Sequence, residues 1–94
     1  MKKSEFIEEF ANIHEDSEIL RMDGLDEACI GWSDSWNGNE RPMRLVYDAN
    51  KIIEILMDEG MDEEEAVEFY EFNIAGAFMG DNQPIIINSW LDTF

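Results

Sequence analysis

Residues 49–80 constrain the fold most, because two helical patterns follow each other there across a single break. The first pattern places apolar side chains on one helical stripe, at Ala49, Ile52, Ile53, Leu56 and Met57. Asp48 can cap its start, and Gly60 is the expected C-terminal stop. Asp62 opens the second helix, whose repeating positions are Ala66, Phe69, Tyr70, Asn73, Ile74 and Ala77. The pattern predicts a helical hairpin.

The second of these helices becomes apolar nearly all round past Phe72, which predicts that its second half is buried. Gly76 lies within this half, where a glycine costs about 1 kcal/mol relative to alanine. A close approach of a neighbouring strand or helix would explain a glycine at this position.

Residues 25–48 predict a β-hairpin. The stretch "EACIGWSDSW" alternates so that one face carries Ala28, Ile30 and Trp32, which places Trp32 in the core. The stretch "MRLVYD" has Met43, Leu45 and Tyr47 on one face and Arg44 and Val46 on the other. The Asn37-Gly38 pair between them is a strong turn signal.

The two ends of the chain complete the predicted order of elements. Residues 1–24 predict a short amphipathic helix with Ser4 as candidate N-cap, then an irregular segment that turns at Gly24. Residues 81–94 contain "PIIINSW", whose β-branched side chains predict a last strand. The order α, β-β, α-α, β predicts one α+β domain over residues 1–94, with one layer of helices covering a small sheet. A last strand at the sheet edge would allow a homodimer to form through it.

The charge of the chain is extreme and uneven. The net charge is -17 over 94 residues, and no basic residue follows Lys51. Such a field repels nucleic acid and anionic membranes and attracts basic protein surfaces. The 45% hydrophobic content argues against a disordered acidic tail. A single cysteine, Cys29, and the lack of a signal peptide or of a ~20-residue apolar run predict a soluble protein of the cytoplasm.

The residues with catalytic or metal-binding chemistry do not form a recognisable motif. A calcium loop starting at Asp58 fails, because Gly60, Glu63 and Phe69 fall where its oxygen ligands and glycine belong. His14 and Cys29, the only histidine and cysteine, do not make a zinc set, and Cys29 lies in an apolar strand where a thiol is typically inert. The sequence predicts a non-enzymatic protein without metal or cofactor.

Residues 45–87 resemble a family of small uncharacterised proteins of phages and prophages. The resemblance rests on five elements in the same order. A Tyr-Asp pair comes first, followed by a helix with "EILM" and by "GM" before a helix start with "EEA". The stretch "FYEFNIAGA" and a closing hydrophobic strand with a G-x-x-x-P pattern complete the order. The resemblance covers a little under half of the chain and carries over no catalytic residues. It implies a phage context and, with it, the cytoplasm of a host cell.

In that context a small acidic protein resembles the inhibitors that phages direct at host defence nucleases, some of which copy the charge of DNA. The predicted second helix carries Glu64, Glu68 and Glu71 in one outward row, and the preceding helix carries Glu54 and Asp58. Helix capping and the helix dipole explain acids up to Glu65 but not Glu68 and Glu71. The sequence therefore predicts binding to a basic surface of a host protein, such as a nuclease or CRISPR effector, without direct contact to nucleic acid.

Exposed aromatic side chains support an alternative function. Trp36 lies beside the "NGN" turn with no apolar periodicity around it, and Trp90 lies near the C-terminus. A tryptophan near a loop is a typical anchor at protein interfaces. The alternative is a structural or assembly factor of the phage that binds through these side chains. A purely solubilising role for the acids, and a role for the tryptophans as lids on a small core, are the simpler explanations.

Overall fold

The computed structural model describes residues 2–13, 19–76, 80 and 82–89. Its three α-helices are α1 (Lys3–Ile13), α2 (Ala49–Asp58) and α3 (Glu63–Tyr70). Its three strands are β1 (Cys29–Ser33), β2 (Arg44–Asp48) and β3 (Ile85–Ile87). A 3-10 turn, Asp26–Ala28, precedes β1, and a π-helical turn, Glu71–Ala75, continues α3. Ala77, His14 and Trp90 lie outside the described residues.

The three strands form one sheet in the order β1-β2-β3. β1 and β2 are antiparallel, as the predicted hairpin requires, and β2 and β3 are parallel, with Val46 opposite Ile85. A parallel pair needs a long crossover, and here α2 and α3 form it. The α+β class predicted from the sequence is confirmed, and β3 occupies an edge of the sheet.

A bulge in β1 changes which of its side chains face the core. Cys29 lies opposite Tyr47 and Trp32 lies opposite Leu45, but the register shifts between Cys29 and Gly31. The regular alternation predicted for this strand is therefore wrong, because the extra residue, Ile30, is left unpaired and exposed. Trp32 is 51% exposed rather than in the core, and it lies against the Phe10 ring at a centroid distance of 4.8 Å.

The core lies between the sheet and the helices. Its fully buried large side chains are Tyr47 of β2 and Ile52 of α2. Around them lie Ile7, Met22, Leu25, Ala28, Cys29, Leu45, Leu56 and Ala66. The Tyr47 hydroxyl accepts a hydrogen bond from the Met22 backbone N–H at 3.0 Å, so the segment before β1 is tied into the core although its sequence is polar and irregular.

The predicted start and end of α2 and the predicted start of α3 are confirmed. The Asp48 carboxylate accepts from the Asn50 N–H at 3.1 Å, and the Asp62 carboxylate accepts from the Glu65 N–H at 2.9 Å. Gly60 adopts φ +114°, and its N–H bonds to the Met57 carbonyl at 3.0 Å. The Met61 N–H bonds to the carbonyl of Leu56, which completes a Schellman motif at the end of α2.

The predicted burial of the second half of this helix is wrong for residues 72–76, and residues 77–79 lie outside the described residues. Phe72 is 83% exposed, and Asn73, Ala75 and Gly76 are also exposed. Only the stripe of Ala66, Tyr70 and Ile74 packs against the core, and Phe72 lies off that stripe. The explanation offered for Gly76 is also wrong, since a Cβ there would lie 3.1 Å from the carbonyl oxygen of Glu71, in the π-helical turn itself.

Helix α1 covers the other end of the core through one buried side chain, Ile7. Because the helix begins at Lys3, Ser4 lies within its first turn and does not cap it, contrary to the prediction. Arg21 contacts Glu8 of α1 at 3.6 Å and donates from Nε to Asp26 at 2.9 Å. This ionic contact joins α1 to the 3-10 turn.

Candidate functional site

Helix α3 and its π-helical turn present an acidic row to solvent. Glu64, Glu68 and Glu71 are all exposed, and none of the three takes part in an ion pair within the described part of the chain. The three glutamates in the first turn of α3 are accounted for by the helix dipole and the Asp62 cap. The dipole does not explain Glu68 and Glu71, which follow that turn.

One of the two acids in the row predicted on α2 is paired with a basic side chain. Glu54 and Asp58 are both exposed, but the Lys51 ammonium lies 3.5 Å from the Glu54 carboxylate. Glu54 therefore has a counter-charge one turn away. Exposed pairs of this kind contribute about 0.3–0.5 kcal/mol on a helix. Basic side chains of a partner protein would therefore replace Lys51 beside Glu54 at a small cost in free energy.

An apolar side chain lies beside the acidic row on α3. Phe72 and Phe69 line a shallow hollow of about 330 Å³ together with Glu65, Glu68 and Met61. Phe72 is one helical turn beyond Glu68, which brings the most exposed aromatic ring of the described residues next to a carboxylate. We refer to Glu64, Glu68, Glu71 and Phe72 as the α3 face.

A second hollow adjoins the first and extends the apolar surface towards α2. It has a volume of about 390 Å³, shares Met61 and Phe69 with the first, and is bounded by Asp23 and Glu59. Apolar side chains form most of the wall of the second hollow, Asn73 lines both hollows, and the charged residues that line them are all acidic. The pair of hollows combines apolar contact with negative charge.

Trp36 lies in the hairpin loop, away from these helices in the chain. It is 68% exposed, which agrees with the anchor and not with the lid alternative, and the Arg41 guanidinium lies 5.6 Å from the centre of its ring. Arg41 is held in turn by Asp34 at 3.1 Å. The loop closes through two backbone hydrogen bonds between Asn37 and Glu40, with Gly38 at φ +67°. The loop thus presents the ring of Trp36 with one cation already on it.

Cys29 and Tyr47 are titratable core side chains that burial holds in their neutral form. Burial raises the pKa of the Cys29 thiol, so the thiolate form is disfavoured. Burial also raises the pKa of Tyr47, to about 12. Within residues 2–13, 19–76, 80 and 82–89 no three side chains of His, Cys, Asp or Glu converge on a point where a metal ion could bind. None of the helices in these ranges has the length and apolar content needed to cross a bilayer.

Comparisons with protein-family models, with curated proteins and with solved structures gave no significant match to this chain.

Two residues of interest were not identified from the sequence as site residues. Phe72 was assigned to a buried helix half because its neighbours are apolar, although it lies off the stripe of Ala66, Tyr70 and Ile74. Arg44 was placed only on the outer face of β2. In the structure its Nε is buried and has no hydrogen-bond partner among the described residues. Its cross-strand neighbour is Ser33, so the strand pattern did not supply an acid opposite Arg44.

Proposed function

We propose that this chain is a non-enzymatic phage protein that binds a basic surface of a host protein through its α3 face. One observation carries the proposal: Glu64, Glu68 and Glu71 form an exposed row with no ion pair in the described residues, beside an exposed Phe72. Like charges at this spacing destabilise a helix by a few tenths of a kcal/mol per pair. Local structure gives no reason to keep the row free of lysine.

The α3 face supports both parts of a protein interface. Carboxylates at its margin attract a cationic partner over a distance, and this attraction raises the association rate. Phe72 and the hollow beneath it offer an apolar centre, and aromatic side chains at such centres carry much of the binding free energy. A channel that binds the phosphates of DNA has the matching charge, so a nuclease or CRISPR-type effector is the partner class that we propose.

The experiment captures partners from bacterial lysate on the immobilised chain at low and moderate salt. We expect one or more basic proteins to be retained at low salt and released as salt rises, because screening shortens the range of the attraction. Adding duplex DNA should release the same proteins if they hold the chain in a DNA-binding channel.

Charge reversal on the α3 face provides the specific test. The variant Glu64→Lys, Glu68→Lys, Glu71→Lys should lose the captured protein. A matched variant, Glu5→Lys, Glu9→Lys, Glu40→Lys, changes the net charge by the same amount at three other exposed positions and should retain it. Capture that does not depend on salt and is equal for both variants would exclude the charge-mimicry proposal.

Trp36 supports the second candidate, a structural or assembly factor of the phage. Its exposed ring and the Arg41 guanidinium on it form a compact anchor in a closed loop. If this anchor makes the contact, Trp36→Ala should abolish capture while the triple reversal on the α3 face leaves it unchanged. The two variants therefore separate the two candidate functions.

A further inference from the structure

A cavity of about 370 Å³ lies where β2 and β3 begin, next to the end of α3. Its polar lining consists of Arg44, Tyr70 and Gln83. The remaining wall is apolar and includes Ile74, Pro84 and Ile86. The volume falls within the range of sites that bind small molecules, roughly 300–1,000 Å³, and the lining combines apolar side chains with polar groups.

Arg44 differs from most of the basic side chains of this protein. Lys3, Arg21, Arg41 and Lys51 each form an ion pair with an acid. Arg44 forms none within the described residues, and its Nε–H is buried without an acceptor. A buried donor without a partner is unfavourable, and more so when it belongs to a charged group. An anion in the cavity would place a negative charge beside the Arg44 guanidinium, which no acid does through an ion pair within the described residues.

Tyr70 offers a second donor to the same cavity. A tyrosine hydroxyl keeps its proton at neutral pH, since its ordinary pKa is about 10, and burial together with the nearby charge of Glu71 raises the pKa of Tyr70 further. The hydroxyl can then donate to an anion that the guanidinium also binds. A guanidinium and a phenol on one anion form charge-assisted hydrogen bonds, which are stronger than neutral ones.

We propose that this cavity binds a small monocarboxylate with an apolar body, its carboxylate on Arg44 and Tyr70 and its body against Ile74, Pro84 and Ile86. The net charge of -17 favours a ligand with a single negative charge, because each further negative charge on the ligand adds repulsion from the acidic side chains of the protein. The apolar wall favours a body of several carbons over acetate. This site is independent of the α3 face and of the function proposed above.

The test titrates hexanoate, hexanol and hexyl phosphate into the isotope-labelled protein and follows backbone amide shifts. We expect saturable shifts with hexanoate at amides of residues 44–46, 70–75 and 83–86. Hexanol has the same body without the charge. It should bind more weakly than hexanoate by about tenfold or more, because it lacks the charge-assisted bond. Hexyl phosphate should also bind more weakly than hexanoate.

Substitutions locate the site. Arg44→Gln should weaken hexanoate binding by about tenfold or more, and Tyr70→Phe should weaken it to a smaller extent. Arg41→Gln removes the same charge from the hairpin loop and should leave the affinity unchanged. Equal binding of hexanoate and hexanol to the unmodified protein overturns the proposal even if Arg44→Gln does not fold. Absence of saturable shifts, unchanged binding by folded Arg44→Gln, equal losses in the two arginine variants, or tighter binding of hexyl phosphate would also overturn it.

Discussion

The Tyr47 side chain connects β2 to the segment before β1 through a single buried hydrogen bond. Its hydroxyl accepts from the Met22 N–H at 3.0 Å and is shielded from water. Tyr47→Phe keeps the ring but leaves that N–H without an acceptor. We expect a loss of about 1–2 kcal/mol in the free energy of unfolding, measured by urea denaturation at pH 7.

Tyr47 also makes the free energy of unfolding depend on pH in the alkaline range. The pKa of Tyr47 is about 12 in the folded protein, whereas an unfolded tyrosine titrates near 10. The unfolded chain therefore loses this proton first, so the stabilisation is complete below pH 10 and falls as pH rises towards 12. Tyr47→Phe should reduce the dependence of the unfolding free energy on pH between about 10 and 12. The pKa of Tyr70 is raised too, and Tyr70→Phe should reduce this dependence to a smaller extent. A slope that is unchanged in Tyr47→Phe would contradict the assignment.

Asp26 produces the opposite pH dependence. The hydrogen bond from Arg21 lowers the pKa of the Asp26 carboxyl below its ordinary value. The contribution of this pair is therefore present above about pH 4 and is lost as pH falls through the lowered pKa. Asp26→Asn should cost about 1–2 kcal/mol at pH 7. Denaturation curves of the two proteins should converge below pH 3, and a gap that stays constant with pH would exclude an ionic origin.

Among the secondary-structure elements, α2 depends on Gly60 for its termination. The φ of +114° at Gly60 is one that side chains with a Cβ rarely adopt, and open space surrounds the position. Gly60→Ala should therefore cost about 1–3 kcal/mol through backbone strain alone. Gly31→Ala is the matched control, since its backbone has no such φ and it too has nothing within 4 Å. Thermal unfolding should show a lower Tm for Gly60→Ala only.

The elements set by local chemistry were predictable, and those set by tertiary context were not. Asp48, Gly60 and Asp62 act through the few residues around them, so the sequence identifies both ends of α2 and the start of α3. The bulge at Ile30 depends on how β1 pairs with β2, which no local pattern specifies. The exposure of Phe72 depends on where the core ends. The apolar residues around Phe72 do not reveal that this helix packs against the rest of the protein on one face and that Phe72 lies off that face.

The candidate sites follow the same division. Exposure of the acids on α3 could be predicted from their spacing, since they fall on the face opposite the apolar stripe. The Lys51–Glu54 pair could also be expected from its i, i+3 separation. The cavity at Arg44 could not, because β2, β3 and α3 each contribute to it and only the assembled fold brings them together.

For the molecule as a whole, the balance of 23 acidic against 6 basic residues opposes compactness. Folding brings the acids closer together, so their mutual repulsion destabilises the native state. Added salt screens it, and we expect Tm to rise by several degrees between low salt and 0.5 M sodium chloride, since about 1 kcal/mol corresponds to roughly 4–8 °C. The triple lysine variant on the α3 face should show a smaller rise, and a Tm that falls with salt would contradict this view.

The parallel pairing of β2 with β3 also leads us to expect an order of events during folding. The β1–β2 hairpin and α2 arise from contacts between near neighbours in the chain, whereas β3 can pair only after residues 49–84 have closed a long loop. We therefore expect this three-residue strand at the sheet edge to dock last and to open first. Because Gln83, Pro84, Ile85 and Ile86 line the Arg44 cavity, a ligand held there would slow amide exchange along β3, and the final folding step would also complete the binding site.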